Sequence, residues 1–485
     1  MSSRKVLKGA SFLSGAEVVS QVCSLLRNII LARFLAKADF GIAALLGTIL
    51  TVFEMSGKMA LGQQIVQSKH ADEPAFVNSV HFTQLALSTL SALLILLFAW
   101  PLAHFFAGPQ YVVTIMALAL IPFLNGFTNL DVFKQTRRLN FGPQVLSDII
   151  PNVVITLAAW PLAVYFHDYR TILCLLLGKS VLYMLMTHWL SENSFTPRYN
   201  AGWLKESLKF GWPLLLAGFV QMGNFQGDAM VIAAGYSLAQ LGEFSVAMTM
   251  AMAPGVLLLR VCHSVSLPLL VEVQNDLPLL SARYGCYVEL MALLSCAATL
   301  GMAFCGEQLI VLLFGAKYAG VGILASCLTA AQGLRIVRGA TVGAAMARGD
   351  TVNNLVSSIW RLSGLALAIV VGVLHGSLTW FALTGVAGEL IALTYAITRL
   401  SVKHSIAPAI TIKPTLLGLG CILTAVAIKW SLHLPAYSWV NWLLVAVVIP
   451  LNAGVFLLCF PALRAMVISF AQKFTSRQGS PAPGV

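Results

Sequence analysis

Residues 77–103 read VNSVHFTQLALSTLSALLILLFAWPLA. This run holds no Lys, Arg, Asp or Glu. An α-helix needs about 20 mainly apolar residues to cross a bilayer, so the stretch reads as a membrane-spanning helix. Its apolar positions are continuous rather than alternating, which excludes an outer-membrane barrel strand. Hydropathy marks fourteen such segments, at about 11–32, 40–57, 77–103, 112–130, 143–166, 171–190, 210–234, 240–259, 284–305, 319–334, 352–373, 378–398, 414–432 and 440–463. Segment 10 is the weakest, because Gln332 and Arg335 interrupt it. The whole chain agrees: of 485 residues, 58% are hydrophobic and 10% charged, against about 25% charged in soluble domains. The expected fold class is an all-α polytopic membrane protein of about 14 transmembrane helices.

The formal charge of +12 is a topological label. With the N-terminus placed inside, 22 of the 30 Lys and Arg fall on inner segments, among them Lys58, Lys69, Arg137, Arg138, Arg335 and Arg338. Five fall outside: Arg33, Lys37, Arg170, Lys317 and Lys429. This positive-inside bias puts both termini in the cytoplasm and the basic edges against anionic lipid. Nucleic acid is not the expected partner. The basic start is followed by an apolar segment too long for a cleavable signal, and the tail after Arg464 reads as disordered.

The search for catalytic chemistry is negative. The chain has no GxxxxGK[ST], HExxH or GxSxG, so neither a built-in ATPase, a zinc hydrolase nor a serine hydrolase is expected. Its nine Cys are scattered without a CxxC pair and read as small packing residues. No metal or cofactor is expected. The longest internal connections, about 191–209 and 260–283, are too short for a catalytic domain.

The chain repeats itself. At an offset of 201, Lys8, Ala16, Gly41 and Thr48 meet Lys209, Ala217, Gly242 and Thr249. At 207, Gly108 and Tyr111 meet Gly315 and Tyr318; at 210, Arg138 meets Arg348. Six helices separate the copies, so they share one orientation, an arrangement that transporters use to place a path between two lobes. The expected organisation is an N-lobe at 1–200, a C-lobe at 201–405, an appended helix pair at 406–463 and a cytoplasmic tail at 464–485.

Polar groups within spans cost about 2.5–3.5 kcal/mol per charge on insertion scales and call for a function. Helix 1 carries Glu17, Ser20, Gln21, Ser24, Arg27 and Asn28 within one sector. Helix 7 carries Gln221, Asn224 and Asp228 on one face, and helix 11 carries Asn354, Ser357, Ser358 and Arg361. Arg27 and Asp228 are equivalent in the repeat. Arg27 is read as an attractant for an anionic substrate. Asp228 is read as its partner or a cation ligand, and Arg361 as a second cationic contact or an alternative partner of Asp228. A static ion pair or polar glue between helices is the plainer alternative. Lys179 is divided evenly between a structural and a functional role. Glu54, Asp148, Glu243, Glu289 and Glu389 read as solvated or paired groups, with Glu389 deep enough for ion coupling. Pro122, Pro151, Pro161, Pro213, Pro254 and Pro450 mark places for bends.

Lys8-Gly9-Ala10-Ser11, Ser20-Gln21, Arg27 and Ala38-Asp39-Phe40-Gly41 resemble the start of polysaccharide-type flippases. Leu208-Lys209-Phe210-Gly211-Trp212-Pro213-Leu214, Asn224, Asp228, Leu313-Phe314-Gly315 and Arg348-Gly349-Asp350 continue the likeness from about residue 4 to 463. The chain is similar to the O-antigen and exopolysaccharide repeat-unit flippases of the multidrug/oligosaccharidyl-lipid/polysaccharide exporter superfamily. The resemblance implies two pseudo-symmetric six-helix lobes in a V plus two C-terminal helices. It implies a bacterial inner-membrane protein that moves undecaprenyl-diphosphate-linked oligosaccharide from the cytoplasmic to the periplasmic leaflet. A cavity with cationic residues, ion coupling, and a polysaccharide polymerase and chain-length proteins as partners come with it. A lipid II flippase and a multidrug exporter are the rival functions. A membrane polymerase or ligase is the more distant one, since it expects a large periplasmic loop.

Overall fold

The structure is a computed structural model that describes residues 3–58, 61–431 and 438–478. The side chains of 3–14, 56–58, 213, 254, 256–267 and 470–478 lie outside the described residues. Among the described residues all regular structure is helical, with no strand. The long helices are α1 (Ser3–Phe34), α2 (Lys37–Lys58), α3 (Pro74–Phe106), α4 (Pro109–Gly126), α5 (Gly142–Phe166), α6 (Arg170–Trp189) and α7 (Ala201–Gly235). They continue as α8 (Leu238–Val271), α9 (Leu277–Phe314), α10 (Gly322–Ala347), α11 (Val352–Val373), α12 (Leu378–His404), α13 (Ala409–Ser431), α14 (Val440–Cys459) and α15 (Pro461–Gln478). Eleven helices among the described residues are long and apolar enough to cross a membrane. The segments read as spans 7, 8 and 10 coincide with α7, α8 and α10, which fall outside that set.

Several helices outrun the hydropathy reading. α7 begins at Ala201 and α8 ends at Val271, so the connections expected at 191–209 and 260–283 shrink to 190–200 and 272–276. Hydropathy sees only the apolar part of a helix, and Lys and Glu are good helix formers beyond it. Asn200 caps α7, its side chain accepting from the backbone N–H of Gly202 and Trp203. α10 runs to Ala347 rather than stopping near 334, which moves Arg335 and Arg338 from an inner loop into a helix interior.

Proline acts at one expected site. α4 breaks at Ala119, between Val112–Leu118 and Leu120–Gly126. The ring of Pro122 clashes with the carbonyl four residues back, which belongs to Leu118. α5 runs through Pro151 and Pro161, and α14 through Pro450, without interruption. The helices also continue through positions 213 and 254, whose side chains lie outside the described residues.

Backbone geometry shows the repeat directly. Positive φ occurs at Gly108 and Gly315, at Leu139 and Gly349, and at His167 and His375. These pairs lie 207, 210 and 208 residues apart, at matching helix ends. Left-handed backbone is uncommon outside glycine, so three matched pairs point to one duplicated path.

Packing divides the chain into two compact units: Met1–Val246 with Leu313–Lys317, and Ala247–Leu312 with Tyr318–Val485. In the first, α1 packs on α5, α5 on α6, and α7 on α2 and α3. In the second, α10 and α11 both pack on α12. A core of Tyr284, Val288, Met291, Leu334, Ala340 and Phe456 fills that unit. Tyr284 is buried, and its hydroxyl reaches the hydroxyls of Thr341 and Thr411.

Candidate functional site

In the first unit, the polar stripe of α1 turns toward α5. Ser20 donates to Asp148 Oδ2 at 3.1 Å, and Thr156 on α5 donates to the backbone carbonyl of Cys23 at 3.2 Å. Glu17 accepts from Gln21 at 3.0 Å and lines a cavity of about 600 Å³ inside the unit. Glu54, Asp148 and Lys179 line it as well. Gln21 itself is exposed, and Asn28 is half-buried.

Arg27 lies farther along α1 and is half-buried. Its Nη1 is buried with no hydrogen-bond partner among the described residues. A buried guanidinium nitrogen without an acceptor is costly, and in a membrane more so. On α7, Asn224 and Asp228 are buried, while Gln221 is exposed. Gln226, on the same helix, accepts from Thr48 of α2 at 3.1 Å.

The second unit holds a denser site. Gly364 on α11 and Gly388 on α12 face each other so closely that a Cβ on Gly388 would lie 2.7 Å from the Gly364 Cα. Small residues allow that approach between membrane helices. It brings Arg361 beside Glu389: Arg361 Nε donates to Glu389 Oε1 at 3.3 Å. Arg335 Nε donates to the same oxygen at 2.7 Å, and Arg338 Nε to Oε2 at 3.0 Å. Arg338 also reaches Ser357 Oγ at 3.4 Å. The Glu389 side chain is 1% exposed. Three guanidinium groups thus meet one carboxylate in the interior of the unit.

Charge hides Arg335 and Arg338 from a hydropathy reading, which ends a span at Arg335 and counts both with the inner loops. Their three-residue spacing does place them on one helix face, and Glu389 is the available counter-charge. Glu54 and Asp148 are legible in the sequence only as solvated or paired groups. Both are paired, Glu54 accepting from Asn125 at 2.6 Å and Asp148 from Ser20, and both also face the cavity. The eight described Cys are free thiols.

Residues 30–322 match the family described as Polysaccharide biosynthesis protein. Among curated relatives, the succinoglycan biosynthesis transport protein ExoT of Rhizobium meliloti is 24% identical over 310 residues, covering 63% of this chain and 62% of that one. The chain thus matches less than two thirds of that relative's length. The amylovoran biosynthesis protein AmsL of Erwinia amylovora is 24% identical over 332 residues, 67% of this chain and 82% of its own. Among solved structures, the lipid II flippase MurJ in an inward closed conformation superposes with a TM-score of 0.69 at 14% identity, covering 91% of this chain and 98% of that one. An inward-facing MATE multidrug transporter of the MOP superfamily gives 0.63 at 15% identity, covering 80% and 96%. At these identities the likeness concerns the fold alone, a bundle of many long helices.

Proposed function

The chain belongs to the polysaccharide biosynthesis protein family, and we propose on that premise that it is a flippase for lipid-linked saccharide units. Its substrate is an undecaprenyl-diphosphate-linked oligosaccharide, carried from the cytoplasmic to the periplasmic leaflet of the bacterial inner membrane. Both chain termini lie in the cytoplasm. Alternating access of lobes at 1–200 and 201–405 carries the polar headgroup, and the prenyl tail stays in lipid. No bond is made or broken.

One observation carries this reading: the buried Arg27 Nη1 without an acceptor among the described residues. Bare phosphate and sugar groups cannot cross hydrocarbon without partners. A guanidinium N–H held ready inside the bundle gives a phosphate oxygen a charge-assisted bond. Asp228 is the better candidate for ion coupling, because three guanidinium groups already surround Glu389. Deletion in the source bacterium is expected to abolish surface polysaccharide and to leave lipid-linked repeat units on the cytoplasmic face. Complementation with Arg27→Ala should fail and with Arg27→Lys recover partly. Full export by the Ala variant would refute the assignment.

A further inference from the structure

The cavity of about 600 Å³ in the first unit falls within the roughly 300–1,000 Å³ of small-molecule sites. Charged side chains in a cavity wall inside a membrane protein are costly to maintain. The cavity's charge argues against the diphosphate: Glu17, Glu54 and Asp148 line it against one ammonium, that of Lys179, and like charges repel strongly away from water. It is not a metal cage either. Among the described residues no three His, Cys, Asp or Glu side chains converge to hold a metal ion.

The rest of the wall decides the ligand class. Gln63 and Gln144 add amides, Ser88 and Ser180 hydroxyls, and Phe133 and Tyr183 ring faces. This mixture of carboxylate acceptors, two-way amides and hydroxyls matches a polyol, whose every hydroxyl both donates and accepts. Ring faces cover the apolar C–H surface of a pyranose. An organic cation would answer the carboxylates and make no use of the amides and hydroxyls. The position of the wall along the chain also fits. Gln63 lies between Lys58 and Lys69, and Gln144 follows Arg138 closely, all cations on the cytoplasmic side in the proposed topology.

We infer that this cavity is a subsite for the sugar hydroxyls of the lipid-linked substrate, separate from Arg27, which answers its diphosphate. The inference rests on the flippase reading above. It assigns discrimination between glycans to Asp148, Gln63 and Tyr183, with Asp148 accepting sugar hydroxyls.

The test uses the full chain in lipid nanodiscs and two probes. One is the repeat-unit lipid isolated from the deletion strain; the other is the same lipid with its glycan removed to leave undecaprenyl diphosphate. The wild type is expected to prefer the glycosylated lipid. Asp148→Asn and Gln63→Ala should each weaken glycosylated-lipid binding by tenfold or more and leave undecaprenyl diphosphate binding within about twofold. Unfolding temperatures within a few degrees of wild type establish that the variants are folded, and Tyr183→Phe, which keeps the ring, should retain more of the preference than Tyr183→Ala. Equal loss of both probes, unchanged preference in all variants, or saturable competition by ethidium would overturn the sugar subsite. A wild type that binds neither lipid would instead overturn the flippase reading.

Discussion

Gly41 and Gly242, 201 residues apart, pack reciprocally: a Cβ on Gly41 would strike the carbonyl of Leu238, and a Cβ on Gly242 the carbonyl of Lys37. Lys37 and Leu238 are themselves 201 residues apart. The contact therefore obeys a local two-fold, as a parallel duplication of the first helix pair requires. Lys37 Nζ meets Glu243 Oε1 at 2.5 Å beside it. The first turns of α2 and α8 touch backbone to backbone, so any side chain at either glycine must push them apart.

Gly41→Ala and Gly242→Ala are each expected to lower stability by about 1–3 kcal/mol, the usual cost of overpacking. A backbone carbonyl, unlike a flexible side chain, cannot swing away. Gly47 lies on the same helix as Gly41, and a Cβ there would have open space for 4 Å around it. Gly47→Ala should therefore be neutral or gain up to about 1 kcal/mol from helix propensity. Unfolding temperatures of the three variants in detergent check the contrast.

Glu389 joins α12 to α10 and α11. Glu389→Gln leaves three guanidinium groups around a neutral amide and is expected to cost about 3–5 kcal/mol, as for other broken buried pairs. Adding Arg361→Gln to Glu389→Gln should return part of that loss, because one like charge leaves the cluster. Thermal unfolding of the single and double variants decides it. A double variant no more stable than Glu389→Gln would place the coupling elsewhere.

The turn after α10 carries an acid-sensitive contact. Arg399 grips Asp350 with two bonds of 2.9 Å, and Lys403 Nζ lies 3.1 Å away. The hydrogen bond from Arg399 holds the Asp350 carboxyl well below the usual carboxylate range. A lowered folded pKa stabilises above the unfolded value, about 3.9. That contribution persists at neutral pH and is lost as pH falls from there through the folded value. Asp350→Asn should therefore destabilise at pH 7 and flatten the acid limb of the stability profile. A parallel acid limb in wild type and variant would contradict this.

Much of this organisation is legible before any coordinates. Long apolar runs identify the helices, and the offset of 201 already pairs Gly41 with Gly242. Three things are not legible. Helix ends in polar sequence escape hydropathy, as with Ala201 and Val271. Charged residues satisfied inside a helix imitate a loop, as with Arg335 and Arg338. A cavity wall drawn from each of α1 to α6 has no signature along the chain. Glu17 and Asp148 are 131 residues apart and share that wall only through packing.

The most direct test of the central claim is translocation in proteoliposomes that hold only this protein and undecaprenyl-diphosphate-linked repeat units. The glycan reaching one leaflet is read by its accessibility to an added, membrane-impermeant glycosidase or lectin. Wild-type protein is expected to expose glycan from the far leaflet at a rate far above that of protein-free liposomes, and Arg27→Ala to reduce that rate at least tenfold. A wild-type rate equal to that of empty liposomes, or an Arg27→Ala rate equal to wild type, would contradict the account.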